Sequence, residues 1–220
     1  MTYDVGRYNS LIERCAFNCS FYKGHFQDLS RNKLPMTAAG TPTWTMINGL
    51  PALTALDNVS GAASANVANI VDITGNFYFE TMFTSPRRLN YPVTQNSGTG
   101  GFILGQPTGV TTRLDLYLYT AAGAGARLIS VNMLYPYQNK WHHIVLASLA
   151  GGTSGVAWVN GIPTAVALAL AGVAANTAPA QVTVCKTRPA QVTLARVWQG
   201  IPTNEDAQAL YGCAHDMFGV

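Results

Sequence analysis

Charge is scarce in this chain of 220 residues: Lys and Arg number 13, Asp and Glu only 10, and together they make up 10% of the sequence. An average soluble domain carries roughly 25%. Glutamate is rarest, at Glu13, Glu80 and Glu205 alone, and the shortage of Glu, Lys and Leu excludes a coiled coil. No basic run accompanies the net charge of +3, so the electrostatic footprint of a nucleic-acid-binding surface is missing. Long apolar runs are missing too. The longest, residues 164–175, falls short of the roughly 18 residues that span a bilayer. After Met1 there is neither a basic segment nor an apolar one, so the sequence reads as that of a chain made in a cytoplasm, with no membrane partner. Disorder is excluded from the other side, because 48% of the residues are hydrophobic. A chain of this length can bury a large core without crosslinks, and all-β chains often reach it as one unit.

What is present is a series of short apolar segments separated by turn signals. Phe77–Phe83 is aromatic and β-branched enough for a strand, and Gly101–Gly105 is a shorter one. Arg113–Tyr119 alternates, with Leu114, Leu116 and Leu118 on one side and Arg113, Asp115, Tyr117 and Tyr119 on the other. Leu128–Leu134 continues the pattern, and Trp141–Ala147 is apolar on both faces, as in a central strand. Asn160-Gly161 between apolar runs predicts a type I′ hairpin. The segment after Pro163 fits a strand with Val166, Leu168 and Leu170 on one side, although its alanines also suit a helix. Val192–Trp198 is the last strand. Thr203-x-x-Asp206 then predicts a capping box for a helix over 204–211, with Gly212 as its stop. Ten or so strands and one terminal helix predict an all-β, two-sheet antiparallel jelly-roll sandwich with a short C-terminal helix.

Four motifs stand in an order that resembles the concanavalin A-like jelly roll, in its laminin-G-like and pentraxin-like branch. They are Phe26-Gln-Asp28-Leu-Ser30-Arg-Asn32 with Gly40 and Trp44; Phe77–Phe83; Trp141-His142-His143-Ile144 with Trp158-Val-Asn160-Gly161; and Leu194–Trp198 with Asn204–Tyr211. Arg31 departs from that family's opening glycine. The resemblance implies an arm over 1–20, a jelly-roll domain over 21–213 and a tail over 214–220. Domains like this occur on bacteriophage particles, as capsid or tail modules.

Hydrolysis of a glycosidic bond needs two carboxylates roughly 5–10 Å apart. Glu80 has no carboxylate two or five positions away, and Asp115 stands alone on its strand. No Gly-x-Ser-x-Gly elbow is present. His142 and His143 are the best candidates for a general base, but neighbours on a strand face opposite ways, and a core histidine is the simpler reading. The seven Asp are scattered, so Asp28 with Asn32 and Asp57 with Asn58 suit Asx turns better than calcium. The metal question stays open at Cys15, Cys19, Cys185 and Cys213, which are buried thiols, disulfides or, with His215, zinc ligands in a spacing that fits no finger. No cofactor is expected.

The binding candidate is the polar side of one strand: Arg113, Asp115, Tyr117 and Tyr119. Aromatic rings suit sugars or protein partners. From 141 to 185 there is not one charged residue, over 45 positions. Interface cores are depleted in charge, so this stretch suggests burial against other subunits; central strands and small-residue loops are the plain alternative. The sequence therefore leads to a non-enzymatic virion structural or adhesive protein, contacting other virion subunits or itself. A carbohydrate-binding module for host surface glycans is the alternative. Expected locations are the virion surface or the extracellular space.

Overall fold

The computed structural model describes residues 4–55, 60–84, 92–96, 101–105, 112–119, 127–132, 140–169, 179–185 and 190–219. Its strands are β1 (Phe17–Ser20), β2 (Met36–Ala39), β3 (Thr43–Ile47), β4 (Leu50–Ala55), β5 (Gly61–Val67), β6 (Phe77–Thr84), β7 (Val93–Asn96) and β8 (Gly101–Gly105). They continue as β9 (Arg113–Leu118), β10 (Arg127–Asn132), β11 (His142–Leu149), β12 (Ser154–Val159), β13 (Ile162–Thr164), β14 (Val166–Ala169), β15 (Ala180–Val184) and β16 (Ala190–Gln199). Two helices, α1 (Val5–Glu13) and α2 (Asn204–Phe218), flank them.

The strands form two antiparallel sheets, as the alternating segments predict. The first runs β13-β12-β11-β6-β16-β4-β3, with β1 also on β16; the second runs β14-β10-β9-β8-β7-β15-β5-β2. Between them lie the apolar sides of β6, β9 and β11. Phe79 meets Phe102 of the other sheet edge-on, with ring centroids 4.9 Å apart, and Leu114, Leu116, Leu118, Ile144 and Leu146 fill the space around them.

All eight residues of β6 are buried, because the outer side of its sheet is covered as well. Tyr78, Val145, Trp158 and Trp198 pack there against Leu11 and Cys15 at one end of the chain and Ala207 and Leu210 at the other. Tyr78 stacks on Trp198 at 4.8 Å. Farther along, Met82 and Leu194 meet Ala214 and Phe218. Double coverage explains why β11 reads as apolar on both faces.

Local signals hold where they were strong. Asn160 and Gly161 take φ of 49° and 73°, the left-handed pair of a type I′ turn. A Cβ on Gly161 would run into the Tyr211 ring. Thr203 and Asp206 form the capping box, with Asp206 N–H donating to Thr203 Oγ1 at 3.1 Å and Thr203 N–H to Asp206 Oδ2 at 2.9 Å. Val166–Ala169 is a strand paired with β10; Leu170 lies outside the described residues.

One expectation needs correction. Gly212 does not stop α2: the helix continues to Phe218 and ends at Gly219, φ 68°. A glycine inside a helix costs about 1 kcal/mol, and burial of Cys213, Ala214 and Phe218 against the sheet outweighs it. Residues 214–218, expected as tail, belong to this helix. The segment expected as an arm, 1–20, holds α1, capped by Asp4 Oδ1 accepting from Arg7 N–H at 2.9 Å, and β1. Among the described residues no helix is long and apolar enough to cross a membrane.

Candidate functional site

β9 lies between β8 and β10. Its leucines enter the core, and this alternation puts Arg113, Asp115 and Tyr117 on the outer side of the second sheet. Tyr119 follows just beyond the strand, its N–H donating to Gly101 O at 3.0 Å. The four candidate residues therefore share one side, but their roles differ. Asp115 is completely buried. Arg113 Nη2 donates to its Oδ2 at 3.2 Å and the Tyr117 hydroxyl donates to the same oxygen at 3.2 Å. Arg113 Nε stands 3.0 Å from Oδ1 as an ion pair outside hydrogen-bond alignment. This carboxylate holds its neighbours in place, while Tyr117, Tyr119 and Arg113 are half-buried and keep part of their surface accessible.

From Tyr117 the same side of the sheet continues in register through Ile103, Thr94, Thr183, Ala63 and Thr37. Opposite Asp115 stand Gly105 and Ser130. Of these residues Thr94, Thr183, Ala63, Gly105 and Ser130 are buried and only Thr37 is exposed, so this side of the sheet is covered over most of its width; the Thr94 and Thr183 hydroxyls bond each other there at 2.6 Å.

Glu80 and Arg196 lie on the other sheet, sealed under the helices. Arg196 Nη1 donates to Glu80 Oε2 at 2.8 Å, Nε to Asn18 Oδ1 at 3.0 Å, and Nη2 to Ser20 Oγ at 3.0 Å and Tyr8 Oη at 3.1 Å. His143 Nε2 lies 2.9 Å from Glu80 Oε1. Burial pushes the Glu80 carboxyl up, but the Arg196 guanidinium and the His143 contact prevail and hold it below its ordinary value. Arg196 is raised: burial works against its charge, and Glu80 outweighs that. With Glu80, His143 and Arg196 all 0–1% exposed, the cluster ties β1, β6, β11, β16 and α1 together and meets no substrate. His142 faces the opposite way, its ring 6.5 Å from that of Phe83. Both histidines are core residues. The cluster carries a sequence signal: Glu80 and Arg196 are single charges within otherwise uncharged strands, and a buried charge requires a partner.

Asp28 is saturated as well. Oδ1 accepts from Asn18 N–H at 2.8 Å and Ser30 N–H at 2.9 Å, and Oδ2 from Ser30 Oγ at 2.9 Å and Leu34 N–H at 3.0 Å. It organises a turn, as an Asx residue does. Asp57 and Asn58 lie outside the described residues. Cys15, Cys19, Cys185 and Cys213 are buried and in no disulfide. Burial raises the thiols of Cys15, to about 12, and of Cys19 and Cys185. Among the described residues no His, Cys, Asp or Glu cluster fit to hold a metal occurs.

Two antiparallel sheets packed face to face, one of them covered on its outer side by both helices, define a jelly-roll-like β-sandwich. The solved structures that share it include receptor-binding domains of botulinum neurotoxins. The type G domain matches with a TM-score of 0.67 at 13% identity, covering 91% of this chain and 51% of that one. The serotype D binding domain matches with a TM-score of 0.71 at 12% identity, over 93% and 53%. A serotype D ligand-binding domain solved in complex with N-acetylneuraminic acid gives 0.71 at 12%, over 94% and 52%. The chain spans about half the length of these domains, and the likeness is one of fold. No protein-family model and no curated protein matches the sequence.

Proposed function

We propose that this chain is a non-enzymatic, lectin-like recognition module of the concanavalin A-like type its motifs resemble, binding carbohydrate on the outer side of β9. The observation that carries this reading is the Arg113–Asp115–Tyr117 arrangement: a buried carboxylate fixes a half-exposed aromatic ring and a half-exposed cation side by side on one strand. Aromatic faces stack on sugar rings, and a guanidinium donates to hydroxyls or to an acidic substituent. A fold shared with a domain solved with N-acetylneuraminic acid supports the same reading. The partner glycan would be one on a host surface. A glycan array tests it: the intact chain binds at least one saccharide class, and Tyr117→Ala removes that signal while the thermal midpoint stays close to the parent's. An empty array, or an array on which no saccharide's binding depends on Tyr117, refutes it.

A second reading, a structural or adhesive subunit of a virion surface, is favoured by a different observation. The uncharged stretch 141–185 supplies β13 and β14, where Ile162 and Leu168 are 51% and 39% exposed. Exposed apolar groups without surrounding charge suit subunit contacts. Light scattering of the purified chain tests this reading: oligomers that Ile162→Lys with Leu168→Lys disperses support it, and a monomer at all concentrations refutes it.

A further inference from the structure

We infer that the chain has a second ligand site, at the β3 edge of the sandwich, built for an acidic saccharide. β3 is the last strand of its sheet, and its Trp44 and Met46 stand 37% and 61% exposed. Phe26 packs on the Trp44 ring at a centroid distance of 5.3 Å, and fully buried Phe21 supports it at 6.4 Å. The ring is thus fixed from behind while part of it faces water. Its polar atom is available as well. Trp158 Nε1 donates to Asn204 Oδ1 at 3.0 Å and Trp198 Nε1 to Leu11 O at 2.8 Å. Trp44 Nε1 donates to no acceptor among the described residues. A fixed aromatic face with an unused N–H is what a pyranose ring needs: C–H groups on the π face and a hydroxyl at the donor.

The segment that seats Phe26 decides the charge of the ligand. It carries Lys23, Arg31 and Lys33, all exposed, and none of the three has an ion-pair partner among the described residues. From residue 14 to residue 56 the only acid is Asp28, and internal donors occupy both of its oxygens. The same segment lines an open concavity of about 460 Å³ with Gln27, Leu29, Lys33 and Met36 among its walls. Lys33 is held there at φ 45°, a conformation uncommon outside glycine. Three unneutralised cations in the segment that carries Phe26, the ring packed on Trp44, attract an anion. The ligand is therefore a saccharide bearing a carboxylate or a sulfate. Leu29, Trp44 and Met46 offer too little apolar surface, interrupted by Gln27 and Thr43, for insertion into a bilayer.

The site uses none of Arg113, Asp115, Tyr117 or Tyr119, so its fate and that of the β9 site separate in one experiment. The intact chain is titrated calorimetrically with 3′-sialyllactose, with a heparin-derived tetrasaccharide and with lactose. At least one acidic saccharide binds, its affinity falls with added salt, and lactose binds at least about tenfold more weakly. Trp44→Ala weakens the acidic saccharide about tenfold or more. Acidic-saccharide binding that survives Trp44→Ala but is lost in Tyr117→Ala belongs to β9 and overturns the inference. Should Trp44→Ala disturb folding, seen in the near-ultraviolet circular dichroism, the surface variant Arg31→Glu with Lys33→Glu gives the same loss on an undisturbed fold. Equal binding of lactose, full affinity in the charge-reversed variant, or binding only to phosphatidylserine vesicles overturns the inference, as does Trp44-dependent self-association with no saccharide bound.

Discussion

Glu80→Gln isolates the electrostatic part of the buried cluster, because it keeps the side-chain volume and removes only the charge. Arg196 then remains buried, its side chain 1% exposed, with Asn18, Ser20 and Tyr8 as neutral partners. Removing one member of a buried ion pair costs about 3–5 kcal/mol, a large share of the roughly 5–15 kcal/mol that holds a domain folded. At this chain length each kcal/mol moves the melting midpoint by about 2–4 °C, so the variant melts about 10 °C below the parent. Urea unfolding followed by tryptophan fluorescence measures the loss, with the slope unchanged if the end states are unchanged. Acid adds a sign test. The Glu80 carboxyl titrates lower in the folded chain than in the unfolded one. Its contribution is therefore complete above the unfolded carboxylate range and disappears as pH falls through the folded value. Glu80→Gln flattens that part of the stability–pH curve. Replacing both residues, Glu80→Met with Arg196→Met, recovers most of the loss, since apolar substitutes for a buried pair are often tolerated. If Glu80→Gln unfolds at the parent's urea concentration, the ion pair does not hold these elements together and the reasoning fails.

Gly161→Ala destabilises by about 2 kcal/mol or more, because it combines left-handed strain with a collision against Tyr211. A Tyr211→Ala background returns part of that loss, and additivity in the double-mutant cycle contradicts the contact. Thr203→Ala lowers stability by about 1 kcal/mol through loss of the α2 cap; an unchanged denaturation midpoint argues that the rest of the helix interface compensates. Cys15, Cys19 and Cys185 react slowly with iodoacetamide at pH 8 in the folded chain and rapidly in urea, since burial disfavours their thiolates. Native labelling of Cys15 at the rate of a small thiol disproves its burial.

What the sequence discloses are features whose physics is local. The β9 alternation, the Asn160-Gly161 turn and the Thr203–Asp206 cap each depend on a few adjacent residues, and each stands in the structure as its residues predict. Asn48-Gly49 is an equal signal, with φ of 47° and 79° between β3 and β4, and the same rule would have found it. The early strands β1 to β5 are less legible because Ala, Thr, Gly and Asn fill them, residues with little apolar contrast between faces. The length of α2 was hidden for another reason: Gly212 is a stop by propensity, while the surface that overrides it comes from β6 and β16, more than a hundred and about twenty residues away in the chain. Of the candidate site, the common side of Arg113, Asp115, Tyr117 and Tyr119 follows from strand period. The burial of Asp115 does not, since it depends on what the neighbouring strands place around it.

The two helices bear on each other and on the same sheet, so the first and last helical turns of the chain sit at the back of the molecule relative to β9. A tether attached before Val5 or after Phe218 would therefore leave the Tyr117 surface pointing away from its anchor.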